Sequence, residues 1–167
     1  MDIHFLETLS SVTTETSDDL RRIRNEDSNP PMIEPKRRLP DSSITFRTGQ
    51  IFQHRRYNYW AVICGWDPTC LAPPAWQLHM EISNLPRGPS QPFYHVLVSD
   101  SSRRYVAEEN INTVALTSME DEEEKRAIIG ILCAVSDIGK QFKRVEIANA
   151  RFVPTSELRH EYPDDFA

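Results

Sequence analysis

The fold is decided by a stretch of twenty residues that runs from Gln91 to Asn110 and reads QPFYHVLVSDSSRRYVAEEN. The aromatic and β-branched run over Phe93–Val98 predicts one strand, and Arg103–Ala107 predicts a second. The four residues between the two runs are serine and aspartate, which favour turns. The stretch therefore predicts an antiparallel hairpin.

A second hairpin is predicted upstream of the first. Residues 49–54 alternate partially between apolar and polar side chains, which favours a strand, and Tyr59–Trp66 is aromatic and β-branched. Asn58 lies between the two runs and is one of the few non-glycine residues that tolerate a left-handed backbone, so a tight turn there would connect them. The centre of the chain thus holds four short predicted strands.

The segment between Asp67 and Pro92 contains six prolines and cannot form continuous sheet, because proline lacks the backbone N–H that a ladder needs. It leaves room for one short helix over Pro74–Met80, with proline in the first turn where it is tolerated. Four short strands and one proline-rich excursion predict a mainly β protein built on a small barrel.

The two flanks differ from this centre. Residues 1–43 are rich in Ser, Thr, Asp, Glu, Arg and Pro, and bury too little apolar surface to offset chain entropy, so we expect a disordered arm. In residues 115–167, a capping signature over Ser118–Asp121 predicts a helix, although the β-branched run that follows could instead form a strand. Two further short strands could follow near residues 141–144 and 151–153. We therefore expect an arm (1–43), a barrel domain (44–114) and a helical extension packed on the barrel (115–167).

The charge is distributed unevenly over these three segments. The chain of 167 residues has a net charge of −6, made up of −3 in residues 1–43, +1 in 44–114 and −4 in 115–167. Bulk charge of this sign disfavours coating of nucleic acid, since non-specific binding neutralises phosphates with Lys and Arg. Three cysteines are too few for a disulfide framework, and no apolar run is long enough to cross a membrane. The expected location is intracellular.

No catalytic or metal-binding motif stands out. The chain has 5 glycines and contains no phosphate loop, no His-Glu-x-x-His and no Gly-x-Ser-x-Gly motif. Cys64 and Cys70 do not have the spacing of a zinc site, and His95 is expected to be a structural histidine within a strand. Asp67, which precedes a proline, is expected to form a turn by accepting backbone N–H groups. We expect no enzyme activity, cofactor, metal or small-molecule substrate.

Candidate binding residues lie at the ends of the predicted strands. Arg55 and Arg56 end one strand and Arg103 and Arg104 begin another, so a barrel could gather them into a cationic patch for phosphates or carboxylates. Alternatively, these arginines are solvated and prevent pairing between sheet edges. Two rings, Tyr57 and Trp76, either anchor a partner or belong to the core.

Six motifs, taken together, resemble the YccV-like, or hemimethylated-DNA-binding, domain family over about residues 46–111. They are Phe46–Gln50 (FRTGQ), His54–Tyr59 (HRRYNY), Val62–Asp67 (VICGWD), Leu85–Gly88 (LPRG), Gln91–Val98 (QPFYHVLV) and Tyr105–Asn110 (YVAEEN). Asn58 and Ala61 depart from the family, which commonly has glycine at both positions. The chain's ending, with Arg151–Pro154 and Glu161–Asp165, is similar to the one found where this domain closes eukaryotic F-box proteins.

The resemblance implies a small SH3-like β-barrel without catalytic residues. Relatives of this kind are described as binding hemimethylated DNA, as directing substrates to an ATP-dependent protease, or as substrate adaptors of ubiquitin ligases. It implies either a protein partner from the degradation machinery or duplex DNA. The family-motif residues are expected to be structural: Gly49, His54, Gly65, Trp66, Asp67, Gln91, Pro92, Phe93, Tyr94, Glu108, Glu109 and Asn110.

Overall fold

The computed structural model describes residues 33–166. Its strands are β1 (Ile51–His54), β2 (Trp60–Asp67), β3 (Phe93–Val98), β4 (Arg103–Ala107), β5 (Ile111–Asn112), β6 (Phe142–Glu146) and β7 (Arg151–Pro154). Its α-helices are α1 (Pro74–His79), α2 (Val114–Thr117), α3 (Glu122–Cys133), α4 (Ser136–Gln141) and α5 (Ser156–Glu161). Short 3₁₀ segments lie at Ile82–Asn84, Gly88–Ser90, Glu108–Asn110 and Pro163–Phe166.

The main sheet is antiparallel, with the strand order β4-β3-β2-β1-β5, and β6 pairs with β7 in a separate hairpin. One isolated bridge, between Gln50 and Arg151, connects the two sheets. The mainly β class is confirmed. Among the described strands, β4 and β5 stand at opposite edges of the sheet order and do not pair with each other, so the closure of a barrel stays a prediction.

Both predicted hairpins are present. The strands Phe93–Val98 and Arg103–Ala107 begin and end where the sequence places them, with Ser101 at a φ of 70° in the turn between them. Asn58 has a φ of 59°, the left-handed conformation expected of it. Cys64 forms a bulge in β2, because the pairing with β3 shifts by one residue between Ile63 and Gly65.

Part of the extension after residue 114 packs against the buried side chains of the main sheet. The predicted helix is present as α3, but it begins three residues later than the capping signature over Ser118–Asp121 indicates. Its N-cap is Asp121, whose carboxylate accepts hydrogen bonds from the backbone N–H groups of Glu123 and Glu124. The apolar side chains Ile128, Ile129 and Leu132 join the same buried cluster as strands β1 to β4. The alternative of a strand here is wrong, since this apolar face has helical spacing and covers the sheet.

The predicted arm needs one correction. Residues 1–32 lie outside the described residues, but Lys36, Arg37 and Arg38 form hydrogen bonds with the C-terminal segment. These three residues are thus part of the folded structure, because acidic side chains far along the chain neutralise them. No helix among residues 33–166 is long and apolar enough to span a membrane.

Candidate functional site

The connection between β1 and β2, residues 54–59, is a turn whose residues 55–58 are exposed. His54 is 4% exposed, and its Nδ1 accepts hydrogen bonds from the backbone N–H groups of Arg56 and Tyr57, each at 3.1 Å. The backbone N–H of Asn58 also donates to the His54 carbonyl at 2.9 Å. We call this connection the 54–59 turn. The family-motif residue His54 therefore holds the backbone that carries Arg55, Arg56 and Tyr57.

The environment of His54 favours its neutral form. Burial, together with the nearby positive charges of Arg104 and Arg56, lowers the pKa of its imidazole from 6.5 to about 4. The ring packs between Tyr57 and Tyr59, at centroid distances of 5.0 Å and 4.8 Å. A neutral ring matches the geometry, because Nδ1 can accept hydrogen bonds only when it carries no proton.

The four candidate arginines do not form one cluster. Arg56 lies over the Tyr57 ring at 5.4 Å and Arg104 over the Tyr59 ring at 4.9 Å, so both lie beside His54. Arg103 precedes Arg104 on β4 and therefore points to the other face of the sheet, where it is 3.4 Å from Asp137. The structure brings Arg56 and Arg104 together and separates Arg103 from them.

The two candidate rings differ in exposure. Tyr57 is 48% exposed at the tip of the 54–59 turn, whereas Trp76 is 1% exposed. The Trp76 ring meets Tyr105 in an edge-on contact at 5.8 Å. Trp76 is a core ring in this structure, since a side chain buried to this degree cannot contact a partner without local unfolding.

Asp67 has a different role from the one expected of it. It is the last residue of β2 and pairs with Phe93, so the chain does not turn there. Its carboxylate accepts hydrogen bonds from His95 Nε2 at 3.0 Å and Tyr105 Oη at 2.7 Å on one oxygen, and from Lys36 Nζ at 3.0 Å on the other. Burial opposes the charged form, but these hydrogen bonds outweigh it and lower the pKa of Asp67 well below its usual range.

Tyr94 and Glu108 form a second buried pair. The Tyr94 hydroxyl donates to Glu108 Oε2 at 2.7 Å and accepts from the Phe46 backbone N–H at 3.1 Å. Glu108 also accepts from the Thr45 hydroxyl at 3.1 Å and from Arg87 at 3.3 Å. Burial, and then the hydrogen bond to Glu108, raise the pKa of the Tyr94 hydroxyl. The pair holds the chain entering β1 against the β3–β4 hairpin.

The remaining motif residues close the proline-rich loop. The Gln91 side chain donates to the Gly88 carbonyl at 2.9 Å and accepts from the Glu109 backbone N–H at 3.0 Å. The Pro92 carbonyl accepts from the Glu108 N–H at 2.9 Å, and the Asn110 carbonyl accepts from the Arg55 N–H at 2.9 Å. Gly49 has a φ of +90°, and a Cβ atom there would lie 2.4 Å from the Phe152 carbonyl oxygen. All these contacts hold the fold together.

Sequence reasoning missed a buried carboxylate near the end of the chain. Asp165 is 1% exposed and accepts hydrogen bonds from Arg38 Nε at 2.6 Å, the Thr48 backbone N–H at 2.8 Å and Trp66 Nε1 at 3.1 Å. Its own carbonyl accepts from Arg151. Two signals in the sequence pointed to it: the family-like ending Glu161–Asp165, and the opposite charges of residues 36–38 and 164–165, which lie more than a hundred residues apart.

The described part of the chain offers no ready metal site. Within residues 33–166, no group of three or more His, Cys, Asp or Glu side chains could hold a metal ion. The titratable side chains at the core of the family motifs, His54, Asp67 and Glu108, each accept at least two hydrogen bonds from other protein groups. The 54–59 turn, in contrast, presents the exposed side chains of Arg55, Arg56 and Tyr57.

Comparison with known proteins assigns the family. The model of the hemimethylated DNA-binding protein YccV-like family matches residues 44–149. F-box only protein 21 of Homo sapiens and of Pongo abelii are each 37% identical over 122 residues, and that of Mus musculus is 36% identical. The match covers 73% of this chain but only 17% of the length of these relatives. No solved structure matches the chain. The matched family model spans more than half of the residues, so the chain belongs to the hemimethylated DNA-binding protein YccV-like family.

Proposed function

We propose that this chain is a non-enzymatic binding module that acts as an adaptor in regulated protein turnover. The observation that carries the proposal is its 37% identity to F-box only protein 21 over most of the chain. F-box proteins are substrate adaptors of ubiquitin ligases, and other members of the YccV-like family direct substrates to an ATP-dependent protease. Such a role implies an intracellular site of action.

The 54–59 turn supports this proposal as a contact surface. It presents an exposed aromatic ring, Tyr57, beside the two exposed side chains of Arg55 and Arg56. Tyrosine and arginine are enriched at the centres of protein interfaces. His54 fixes the backbone of the turn before any partner arrives, which reduces the ordering entropy lost on binding.

Site-specific photo-crosslinking in cells tests the adaptor role. A photoreactive phenylalanine replaces Tyr57 in the full chain, and the control carries the same group at Arg144, a residue of β6 whose side chain is 67% exposed. We expect subunits of a ubiquitin ligase or of an ATP-dependent protease to be captured from position 57 and not from position 144. Capture of neither class, or equal capture from both positions, would contradict the proposal.

A second candidate function, binding of hemimethylated duplex DNA, is favoured by one observation. Arg56 lies over the Tyr57 ring and Arg104 over the Tyr59 ring, and both rings pack against His54, so two guanidinium groups lie beside the same turn. Two or three phosphate contacts of this kind would give a slope of about −2 to −3 in log affinity against log salt concentration.

Fluorescence anisotropy separates the two functions. The full chain is titrated with fully methylated, hemimethylated and unmethylated duplexes at about 50 and about 150 mM salt, a range over which phosphate contacts weaken strongly. For DNA binding, the Arg55→Ala/Arg56→Ala variant should lose affinity, whereas the charge-matched Lys143→Ala/Arg144→Ala variant should keep it. Absence of both a methylation preference and a steep salt slope would remove DNA as a ligand.

For the architecture, we propose that the main sheet and the β6–β7 hairpin together form an SH3-like barrel. Two contacts support it: the bridge between Gln50 and Arg151, and the hydrogen bond of 2.8 Å from the Phe152 N–H to the Gly49 carbonyl. Both connect the start of β1 to β7.

A further inference from the structure

Three consecutive basic residues each meet an acidic partner. Lys36 Nζ lies 3.0 Å from Asp67 Oδ1, Arg37 Nη1 lies 2.8 Å from Asp164 Oδ1, and Arg38 Nε lies 2.6 Å from Asp165 Oδ1. We call Lys36–Arg38 the basic segment. The acidic partners, together with the backbone of Glu161 and the rings of Trp66 and Tyr162, form what we call the acidic groove.

The backbone of the basic segment is also held. The Lys36 N–H donates to the Glu161 carbonyl at 2.7 Å, and the Arg38 N–H donates to Asp164 Oδ2 at 2.9 Å. Residues 33–39 contain no helix or strand, and Pro35 and Pro40 flank the segment, which favours extended backbone. An extended chain anchored by a few backbone hydrogen bonds and alternating side-chain contacts is the way in which linear peptides dock on domains.

The groove also contacts the basic segment through aromatic rings. Lys36 Nζ lies 5.5 Å from the centre of the Tyr162 ring, and the Arg38 guanidinium lies 5.3 Å from that of Trp66. Lys36 Nζ further donates to the Trp66 carbonyl at 3.3 Å. At each end of the basic segment, a carboxylate and the face of an aromatic ring therefore favour a positively charged side chain.

The three positions form a gradient from a buried anchor to an exposed rim. The side chain of Arg38 is 13% exposed against an Asp165 that is fully buried, whereas Lys36 and Arg37 are 38% and 64% exposed. Energetic anchors at peptide-binding sites are the desolvated contacts, and rim charges mainly add specificity. Arg38 therefore carries the affinity, and Lys36 and Arg37 set the sequence preference.

We propose that the acidic groove is a receptor for a basic Lys-Arg-Arg segment, which residues 36–38 fill within the same chain and which a partner's basic segment can fill in their place. The inference rests on the proposed binding function and names the chemistry of one partner, an extended basic peptide. The tethered copy acts as a competitor, since a short linker gives it an effective concentration of about 1 mM.

The test releases the basic segment after folding. A protease site is inserted between Ser42 and Ser43 of the full chain, and the folded protein is cut and separated from residues 1–42. A labelled peptide with the sequence of residues 33–41 (IEPKRRLPD) is then titrated by anisotropy. We expect the cut chain to bind it at least tenfold more tightly than the uncut chain does, and a peptide with alanine at the three basic positions to bind neither.

A groove variant supplies the matched control. Asp164→Asn in the cut chain should weaken peptide binding several-fold, whereas Asp137→Asn should leave it unchanged. The two aspartates have similar side-chain exposure, 31% and 30%, but only Asp164 lies in the groove. Equal effects of the two variants would mean that net charge alone attracts the peptide, and would overturn the proposal.

Two further results would overturn it. In the first, the cut chain keeps its circular dichroism spectrum but does not bind the peptide. In the second, the cut chain unfolds, which would mean that the basic segment is only a structural part of the domain. Neither result bears on the adaptor proposal, because crosslinking at Tyr57 examines the 54–59 turn and not the groove.

Discussion

At the scale of single residues, Gly65 lies where the structure leaves no space for a Cβ atom. An ideal Cβ atom at this position would lie 2.4 Å from the Tyr162 hydroxyl oxygen and 3.0 Å from the ring carbon that carries it. Tyr162 is 3% exposed, and its ring packs at a tilt against Trp66 with a centroid distance of 5.5 Å, so it cannot move aside freely. The glycine of the Gly-Trp-Asp motif is therefore required by the C-terminal segment packed over β2.

Gly65→Ala should destabilise the protein by about 2 kcal/mol, because overpacking of a buried contact forces the ring or the strand to shift. Tyr162→Phe removes the closer of the two clashing atoms, so the double variant should lose less than the two single changes added together. Urea unfolding of the four proteins measures this coupling. Strictly additive losses would show that Tyr162 does not confine position 65.

His54 should make stability depend on pH. The pKa of its imidazole falls from 6.5 to about 4 on folding, so the unfolded chain binds the proton more readily between these values. The stabilisation is complete above pH 6.5 and is lost as the pH falls towards 4, by about 2 to 3 kcal/mol.

The pH dependence is measured by urea unfolding between pH 4 and pH 7, compared with His54→Asn, whose side-chain oxygen can still accept hydrogen bonds from the turn. The difference in free energy of unfolding between the two proteins should shrink as the pH falls. Parallel curves would mean that another group titrates.

At the scale of elements, helix α3 depends on its N-cap residue and on its apolar face. Asp121 accepts hydrogen bonds from the N–H groups of Glu123 at 3.0 Å and Glu124 at 3.2 Å, which otherwise have no partner within the helix. A helix of twelve residues is marginal alone, so the burial of Ile128, Ile129 and Leu132 holds most of it in place.

Asp121→Ala should cost about 1 kcal/mol, the usual loss for removing an N-cap side chain. Glu120→Ala removes the same charge one residue earlier and leaves the cap intact, so it should cost clearly less. Thermal unfolding followed by circular dichroism compares the two. Equal losses would assign the effect to charge and not to the hydrogen bonds of the cap.

At the scale of the whole molecule, Asp165 connects parts of the chain that are far apart in sequence. Its carboxylate bonds to Arg38 before β1, to Thr48 at the entry to β1 and to Trp66 in β2. A carboxylate without exposed surface needs these donors, because an unpaired buried charge is costly.

Asp165→Asn should cost about 3 to 5 kcal/mol, since it leaves the largely buried Arg38 without a counter-charge. Asp164→Asn removes the same charge at the neighbouring residue, whose side chain is 31% exposed, and should cost much less. Chemical unfolding at pH 7 provides the comparison. A similar loss for both variants would contradict the central role of Asp165.

Local patterns predicted the elements well. The strands Phe93–Val98 and Arg103–Ala107 and the turn at Asn58 follow from β-branched runs and turn chemistry, which act within a few positions. The capping signature predicted α3 but placed its start three residues too early. The family motifs also indicated which residues the fold depends on, although not what each one contacts.

The site was only partly predictable. The sequence suggested one patch of four arginines, but alternation along β4 sends Arg103 and Arg104 to opposite faces. Asp67 was expected to bond to backbone N–H groups, and instead it accepts from side chains of three separate segments. Trp76 could have been a surface ring or a core ring, and packing against Tyr105 makes it a core ring.

The sequence by itself determined the family, the mainly β class and the two central hairpins, because periodicity, turn residues and motif order are local properties of the chain. Only the tertiary structure decided which distant groups meet: Lys36–Arg38 with Asp67, Asp164 and Asp165, and Arg104 with the neutral ring of His54. Electrostatic pairing depends on distance in space, and separations such as the 127 residues between Arg38 and Asp165 leave no local pattern from which that distance can be read.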